Sequence, residues 1–141
     1  MPILNYTTKI PAKRTVGEIQ GLLAEAGAQG VYIEYDAEKQ PTTVSFLIEL
    51  KGQPINFRLP CRWHGVHQTL LKEADRNAYK TEEHARRVAW RIVKDWVEAQ
   101  LAIVAAELAE LPEVFLPYAV NMHGRTVYQE FEARNLLLGD G

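Results

Sequence analysis

A single cysteine, Cys61, stands among the 141 residues, which excludes an internal disulfide framework. No run of about 18 apolar residues occurs, so no segment is expected to span a membrane. The opening MPILNYTTKI lacks a charged leader followed by a long apolar core and does not read as a secretory signal. The net charge of −2 is too small for an acidic DNA mimic or a basic nucleic-acid coat. Internal repeats, low-complexity tracts and linkers are lacking too, so no domain boundary is warranted. The motifs G-x-S-x-G, H-E-x-x-H and G-x-x-x-x-G-K-[ST] are missing. These absences favour a soluble, cytoplasmic binding protein over an enzyme, and no cofactor is expected. What is present is 47% hydrophobic residues, enough for one compact domain over residues 1–141 with a real core.

Leu4, Tyr6, Thr8 and Ile10 alternate with polar residues and predict a first strand ending at Pro11. Thr15 and Glu18 match a capping box opening a short helix, whose buried stripe is Val16, Ile19, Leu22, Leu23 and Ala26 and which stops at Gly27 or Gly30. Three strands follow, at Val31–Asp36, Thr42–Leu50 and Ile55–Leu59, the last two joined by a tight turn around Lys51-Gly52-Gln53. A second helix is expected from Trp63 to about Lys72. The resulting β-α-β-β-β-α-α order predicts an α+β fold, an antiparallel β-meander packed by helices.

The most informative stretch is Thr81–Leu111, read as one long amphipathic helix of about residues 82–111. Thr81 is its N-cap, Glu82 and Glu83 suit its first turn, and Pro112 marks its end. Ala85, Val88, Ala89, Ile92, Trp96, Ala99 and Ile103 form one stripe. Trp90, Val93, Val97, Leu101, Val104, Leu108 and Leu111 form a second. About 30 residues at 1.5 Å rise give roughly 45 Å, against a radius of gyration of about 14 Å for a globule of this size. One small sheet does not easily cover both stripes. The second therefore predicts an oligomer interface through Trp90, Val97, Leu101, Val104 and Leu108. Alternatively, the apolar strip Val114–Tyr118, too broken by prolines for a helix, folds back onto it. Residues from about 125 to 141 read as a weakly ordered tail with a short helix carrying Val127, Phe131 and Leu136.

Charge is unevenly spread. Residues 58–94 carry nine Lys/Arg against four Asp/Glu, whereas residues 95–141 carry two against eight. Arg58, Arg62, Arg86, Arg87, Arg91 and Lys94 are the candidate nucleic-acid-binding residues, with Arg87, Arg91 and Lys94 on one helical ridge suited to tracking phosphates. The plainer reading is intramolecular, because Glu83–Arg87, Arg91–Asp95 and Lys94–Glu98 are all i,i+4 pairs.

Two chemical constellations are weaker. Cys61, His64 and His67 have a C-x2-H-x2-H spacing with His84 downstream, but Cys61 sits outside the helix and no metal site is expected. Asp36 followed by Glu49-Leu50-Lys51 imitates a magnesium-dependent nuclease. A hairpin pairing Asp36 with about Thr43 puts Glu49 near Gly30, roughly 20 Å away. The outward sheet face (Tyr32, Glu34, Thr43, Ser45, Leu47, Glu49, Asn56, Arg58) has too few aromatics for base stacking of the RRM kind.

The strings LNYTTKI, FRLP, RVAWRIVKDWVEAQ and VFLPY resemble a family of small uncharacterised proteins carried by bacteriophages, prophages and other mobile elements. The resemblance implies a role in DNA replication or recombination, or in countering host defence, and carries no functional residues over. The element order is also similar to cores of single-strand annealing proteins, and its α-β-β-β-α part to double-stranded RNA-binding domains, at the level of fold alone. Two functions follow as expectations: a nucleic-acid-binding accessory protein, or an inhibitor or adaptor of a host or phage protein, such as an anti-CRISPR. Either is expected to self-associate, and neither to engage a membrane.

Overall fold

The computed structural model describes residues 2–134. The protein is α+β, with a three-stranded antiparallel sheet in the order β1-β2-β3. The elements are α1 (Ala12–Glu25), β1 (Gly30–Tyr35), β2 (Pro41–Leu50), β3 (Gln53–Pro60), α2 (His64–Glu73), α3 (Glu82–Ala105), α4 (Leu111–Phe115) and α5 (Val127–Arg134).

The expected first strand does not form. Asn5 adopts φ 65°, and the amides of Tyr6 and Thr8 bond back to the carbonyls of Ile3 and Asn5. The segment is a turn whose alternation serves another end: Ile3 and Tyr6 pack on Leu70, Ala85 and Val88, while Leu4 is exposed. The Thr15–Glu18 capping box is not made either. α1 begins at Ala12 behind Pro11, whose carbonyl accepts the amides of Arg14 and Thr15, so Thr15 lies inside the helix, fully buried. Val16, Ile19 and Leu23 form the buried stripe as expected. Gly27, at φ +103°, ends α1 in a Schellman motif, with Ala28 N–H bonded to Leu23 O and Gly27 N–H to Ala24 O.

The strands form where the alternation places them, with Val44, Phe46, Ile48, Phe57 and Leu59 buried. Thr43 and Ser45, expected on the outward face, are buried as well, and a register shift between Glu34 and Tyr35 leaves Tyr35 exposed. Lys51 and Gly52, with φ 52° and 81°, form the two-residue β2–β3 loop between the paired Leu50 and Gln53, as a type I′ turn requires. Phe46 and Phe57 stack at 5.0 Å across the inner face, and Phe115 meets Phe46 edge-on at 5.5 Å. Ile19 and Leu23 from α1, with Trp90 and Val97 from α3, complete this core.

α3 ends at Ala105 and not at residue 111. Its 24 residues give a rod of about 36 Å. Glu107 turns the chain at φ 60°, and Leu108 N–H to Ile103 O with Glu107 N–H to Val104 O make a second Schellman motif. Pro112 therefore stops nothing. It lies in the first turn of α4, where its missing N–H costs no bond. The Val114–Tyr118 strip is helical after all, as α4 followed by a 3-10 turn over Leu116–Tyr118, and it packs across the core through the fully buried Phe115. The C-terminal helix is confined to Val127–Arg134, and Leu136 and the rest of the expected tail lie outside the described residues.

Candidate nucleic-acid interface

The six candidate cations separate into two groups. Four sit on α3 and are paired within the chain. Arg86, only 8% exposed, lies over the Trp63 ring at 4.4 Å and 3.0 Å from the Asp36 carboxylate. That contact is a charge pairing, since Arg86 Nη1 makes no directed hydrogen bond. Asp36 is itself fixed by the turn it closes, accepting the amides of Glu38 and Gln40 at 2.9 and 3.0 Å. Chiefly the Gln40 amide, and also the Glu38 amide and Arg86, hold its carboxyl below the usual carboxylate range against some desolvation. Arg87 pairs with Glu83 and Lys94 with Glu98, the i,i+4 pairs read from the sequence. Arg91 departs from that reading. It reaches across to Glu18 and Thr15 of α1, which leaves Asp95 to accept from Asn5 Nδ2 at 2.8 Å. Arg91 thus ties α1 and Arg86 the β1–β2 loop to α3, while Arg87 and Lys94 are matched within the helix.

Arg58 and Arg62 form the second group, and neither meets a carboxylate in an ion pair among the described residues. Arg58 projects from β3 on the outer sheet face, in one row with the exposed Tyr32 and the buried Ser45, and donates to Gly124 O at 3.1 Å. Arg62 is exposed beyond Pro60. Both line a cleft of about 200 Å³ with Tyr118, Thr126, Tyr128 and Gln129. The C-terminal segment is docked there by backbone pairing: Val120 N–H donates to Asn56 O at 2.8 Å and Val127 N–H to Ala119 O at 2.9 Å. A capping box sets the entry of α5, with Gln129 N–H to Thr126 Oγ1 at 3.1 Å and Thr126 N–H to Gln129 Oε1 at 2.9 Å. Tyr128 is thereby left 45% exposed at the cleft mouth. Glu132 lies beside Arg58 further along, and Arg125 is paired with Glu130. The Glu130 carboxyl is held below its usual range mainly by the Asn121 amide.

The T-x-x-Q signature of residues 126–129 was legible in the sequence and marks this helix start. Nothing local announces that Tyr118 and Tyr128 meet Arg58 and Arg62, because that depends on a bridge pairing Phe57 with Ala119.

His64, His67 and His84 are each held by contacts within the chain. His67 Nε2 lies 2.9 Å from Lys80 O, His64 stacks on Trp63, and buried His84 contacts Tyr6 O through Nε2 and Arg87 through Nδ1. Burial pushes the Cys61 thiol up to about 12, opposed by the Arg86 charge, which disfavours the nucleophilic thiolate. No group of three or more His, Cys, Asp or Glu among the described residues has the arrangement of a metal site. The nuclease-like residues stay apart: Gly30 pairs with Leu47 and Glu34 with Thr43, two residues from the expected register. Glu49 meets Gln29 while Asp36 sits in the opposite turn.

The expected oligomer stripe is divided. Trp90 is 1% exposed and donates through Nε1 to Pro41 O, and Val97 is fully buried; neither is available to another subunit. Leu101 and Val104 are half-buried against the core, and Leu108 is exposed. For Trp90 and Val97 the interface reading gives way to an intramolecular one, in which sheet and C-terminal segment cover the stripe. No helix among the described residues is long and apolar enough to cross a membrane.

No family model, curated protein or solved structure matches the chain.

Proposed function

We propose that this protein is a non-enzymatic nucleic-acid-binding accessory protein of a phage or mobile element, acting in DNA replication or recombination. The observation that carries the reading is the Arg58/Arg62 cleft: two guanidinium groups with no carboxylate ion pair among the described residues, beside two tyrosines. Guanidinium groups contact phosphates, and an exposed aromatic ring, here Tyr128 rather than the half-buried Tyr118, stacks on an unpaired base for about 1–3 kcal/mol. The cleft's volume of about 200 Å³ falls below the roughly 300–1,000 Å³ of small-molecule sites. It suits one unit of a longer strand, and single strands are the favoured ligand. The Arg87–Arg91–Lys94 ridge drops out of the site because its charges are already neutralised.

The test is anisotropy of labelled single- and double-stranded DNA and RNA at two salt concentrations. Single strands are expected to bind in a salt-dependent manner. Arg58→Gln with Arg62→Gln should weaken binding and flatten the log–log salt slope by roughly 1.4, about 0.7 for each phosphate contact. Arg87→Gln with Lys94→Gln should change little. Absence of binding at low salt, or indifference to the Arg58/Arg62 pair, rejects the proposal. A second reading, an inhibitor or adaptor of the anti-CRISPR kind, draws on the apolar surface left uncovered beyond the end of α3.

A further inference from the structure

A groove of about 700 Å³ lies where the end of α3, the start of α4 and the β2–β3 hairpin tip meet. Leu50, Val104, Leu108 and Leu111 supply its apolar lining, and Glu107, Glu110 and Glu113 supply carboxylates, against Lys51 alone of opposite sign. No residue lines both this groove and the arginine cleft.

Three observations make it more than a gap in packing. First, Leu108 is 77% exposed although it continues the stripe that Trp90 and Val97 bury. Second, α1 and α3 end in the same Schellman geometry with different residues at the left-handed position: Gly27 at φ +103° and Glu107 at φ 60°. Glycine takes that conformation without steric penalty, whereas a side chain is strained there. At Glu107 fold stability alone would favour glycine, and the strained residue places a carboxylate at the groove. Third, Glu110 and Glu113 form a reciprocal capping box, with Glu110 N–H donating to Glu113 Oε1 at 2.9 Å. Their carboxylates are held in place before any partner arrives, which lowers the ordering cost of binding.

We propose that this groove docks a basic amphipathic segment of a partner protein, its apolar side chains on Leu108 and Val104 and its Lys or Arg side chains on the three glutamates. Charge complementarity selects that occupant: acidic and nucleic-acid ligands are repelled, and a wholly apolar segment leaves the carboxylates unmatched. The proposal is independent of the nucleic-acid reading.

The probe is a labelled helical peptide of leucine and lysine, about 14 residues or roughly four turns long. A control keeps the leucine positions and replaces lysine by glutamate. Anisotropy at about 0.05 and 0.3 M salt, where the Debye length is roughly 14 and 6 Å, reads the electrostatic share. The lysine peptide should bind one to one and more weakly at high salt, and the glutamate peptide should not bind. Leu108→Asp, at a site too exposed to threaten folding, should lower affinity at least about tenfold. Glu107→Gly should lower it about threefold, as expected for one exposed charge pair, while raising the thermal midpoint. Met122→Asp, at a residue 95% exposed elsewhere, should change nothing. Equal binding of both peptides, no binding, or equal effects of Leu108→Asp and Met122→Asp overturns the proposal. So does sedimentation showing self-association that Leu108→Asp abolishes, because the occupant is then a second copy.

Discussion

The two halves of α3 carry one apolar pattern and meet opposite surroundings. Between Glu82 and Lys94 the helix buries His84, Ala85, Arg86, Val88, Ala89 and Trp90; between Asp95 and Ala105 it buries Val97 alone. α1 and α2 flank the first half, through Glu18 on Arg91 and through Leu70 beside Ala85 and Val88. On the second half, Val97 reaches the core shared with α1 and the sheet, and Asp95 holds Asn5. The short α4 with its 3-10 turn adds cover where Trp96 meets Phe115 edge-on at 5.5 Å and Tyr118 at 5.7 Å. Periodicity marks which face of a helix is apolar, whereas cover depends on what the rest of the chain can place there. The first half is a structural axle, and the second leaves more of its surface uncovered.

The largest test of this contrast is a pair of tryptophan truncations. Trp90→Ala should cost about 3–5 kcal/mol in urea unfolding, since it opens a cavity in the main core and orphans the Pro41 carbonyl. Trp96→Ala should cost about 1–2 kcal/mol, because part of its ring already faces water. Equal losses would show that the second half is as deeply integrated as the first.

Next in size is Arg86. Removing it by Arg86→Ala deletes both the stacking on Trp63 and the ion pair with Asp36, at about 1–3 kcal/mol. Arg86→Met keeps an apolar side chain of similar length in place of the buried guanidinium and should recover part of that loss. Arg87→Ala, with its more exposed pair to Glu83, should lie within about 1 kcal/mol of the parent. If Arg86→Ala and Arg87→Ala cost the same, burial does not distinguish the two arginines, and Arg86 returns to the list of residues available for ligands.

What the sequence made legible follows the same division. The three strands, their tight turn, Thr81 as N-cap and the burial of Val16, Ile19 and Leu23 come from local patterns that tertiary structure respected. Three features were overridden by specific contacts. The Leu4–Ile10 alternation gives way to a turn at Asn5, with Tyr6 O held by His84. Arg91 leaves its i,i+4 partner for Glu18, a residue 73 positions away. The end of α3 was read six residues late because Glu107 fills a position that glycine usually advertises. The arginine cleft was half legible: Arg58 and Arg62 stood out by charge, but long-range pairing at Phe57–Ala119 brings the tyrosines to them.

The smallest expected effect concerns Asp36, which joins the β1–β2 turn to the first half of α3. Its carboxyl titrates below the ordinary value of 3.8 in the folded chain. A depressed acid contributes stability above its unfolded pKa and loses that contribution as pH falls through the folded value. Asp36→Asn keeps an oxygen for the Glu38 and Gln40 amides, which include the largest cause of the shift, and removes only the charge facing Arg86. The stability gap between parent and Asp36→Asn should therefore be modest and constant near neutrality. It should narrow as the pH drops below about 4, close to the reference pKa of a free aspartate. A gap that instead widens in acid would mean that Arg86 is better accommodated without its partner. The charge pairing would then not be what ties the turn to the helix, and the stacking on Trp63 alone would have to account for the burial of Arg86.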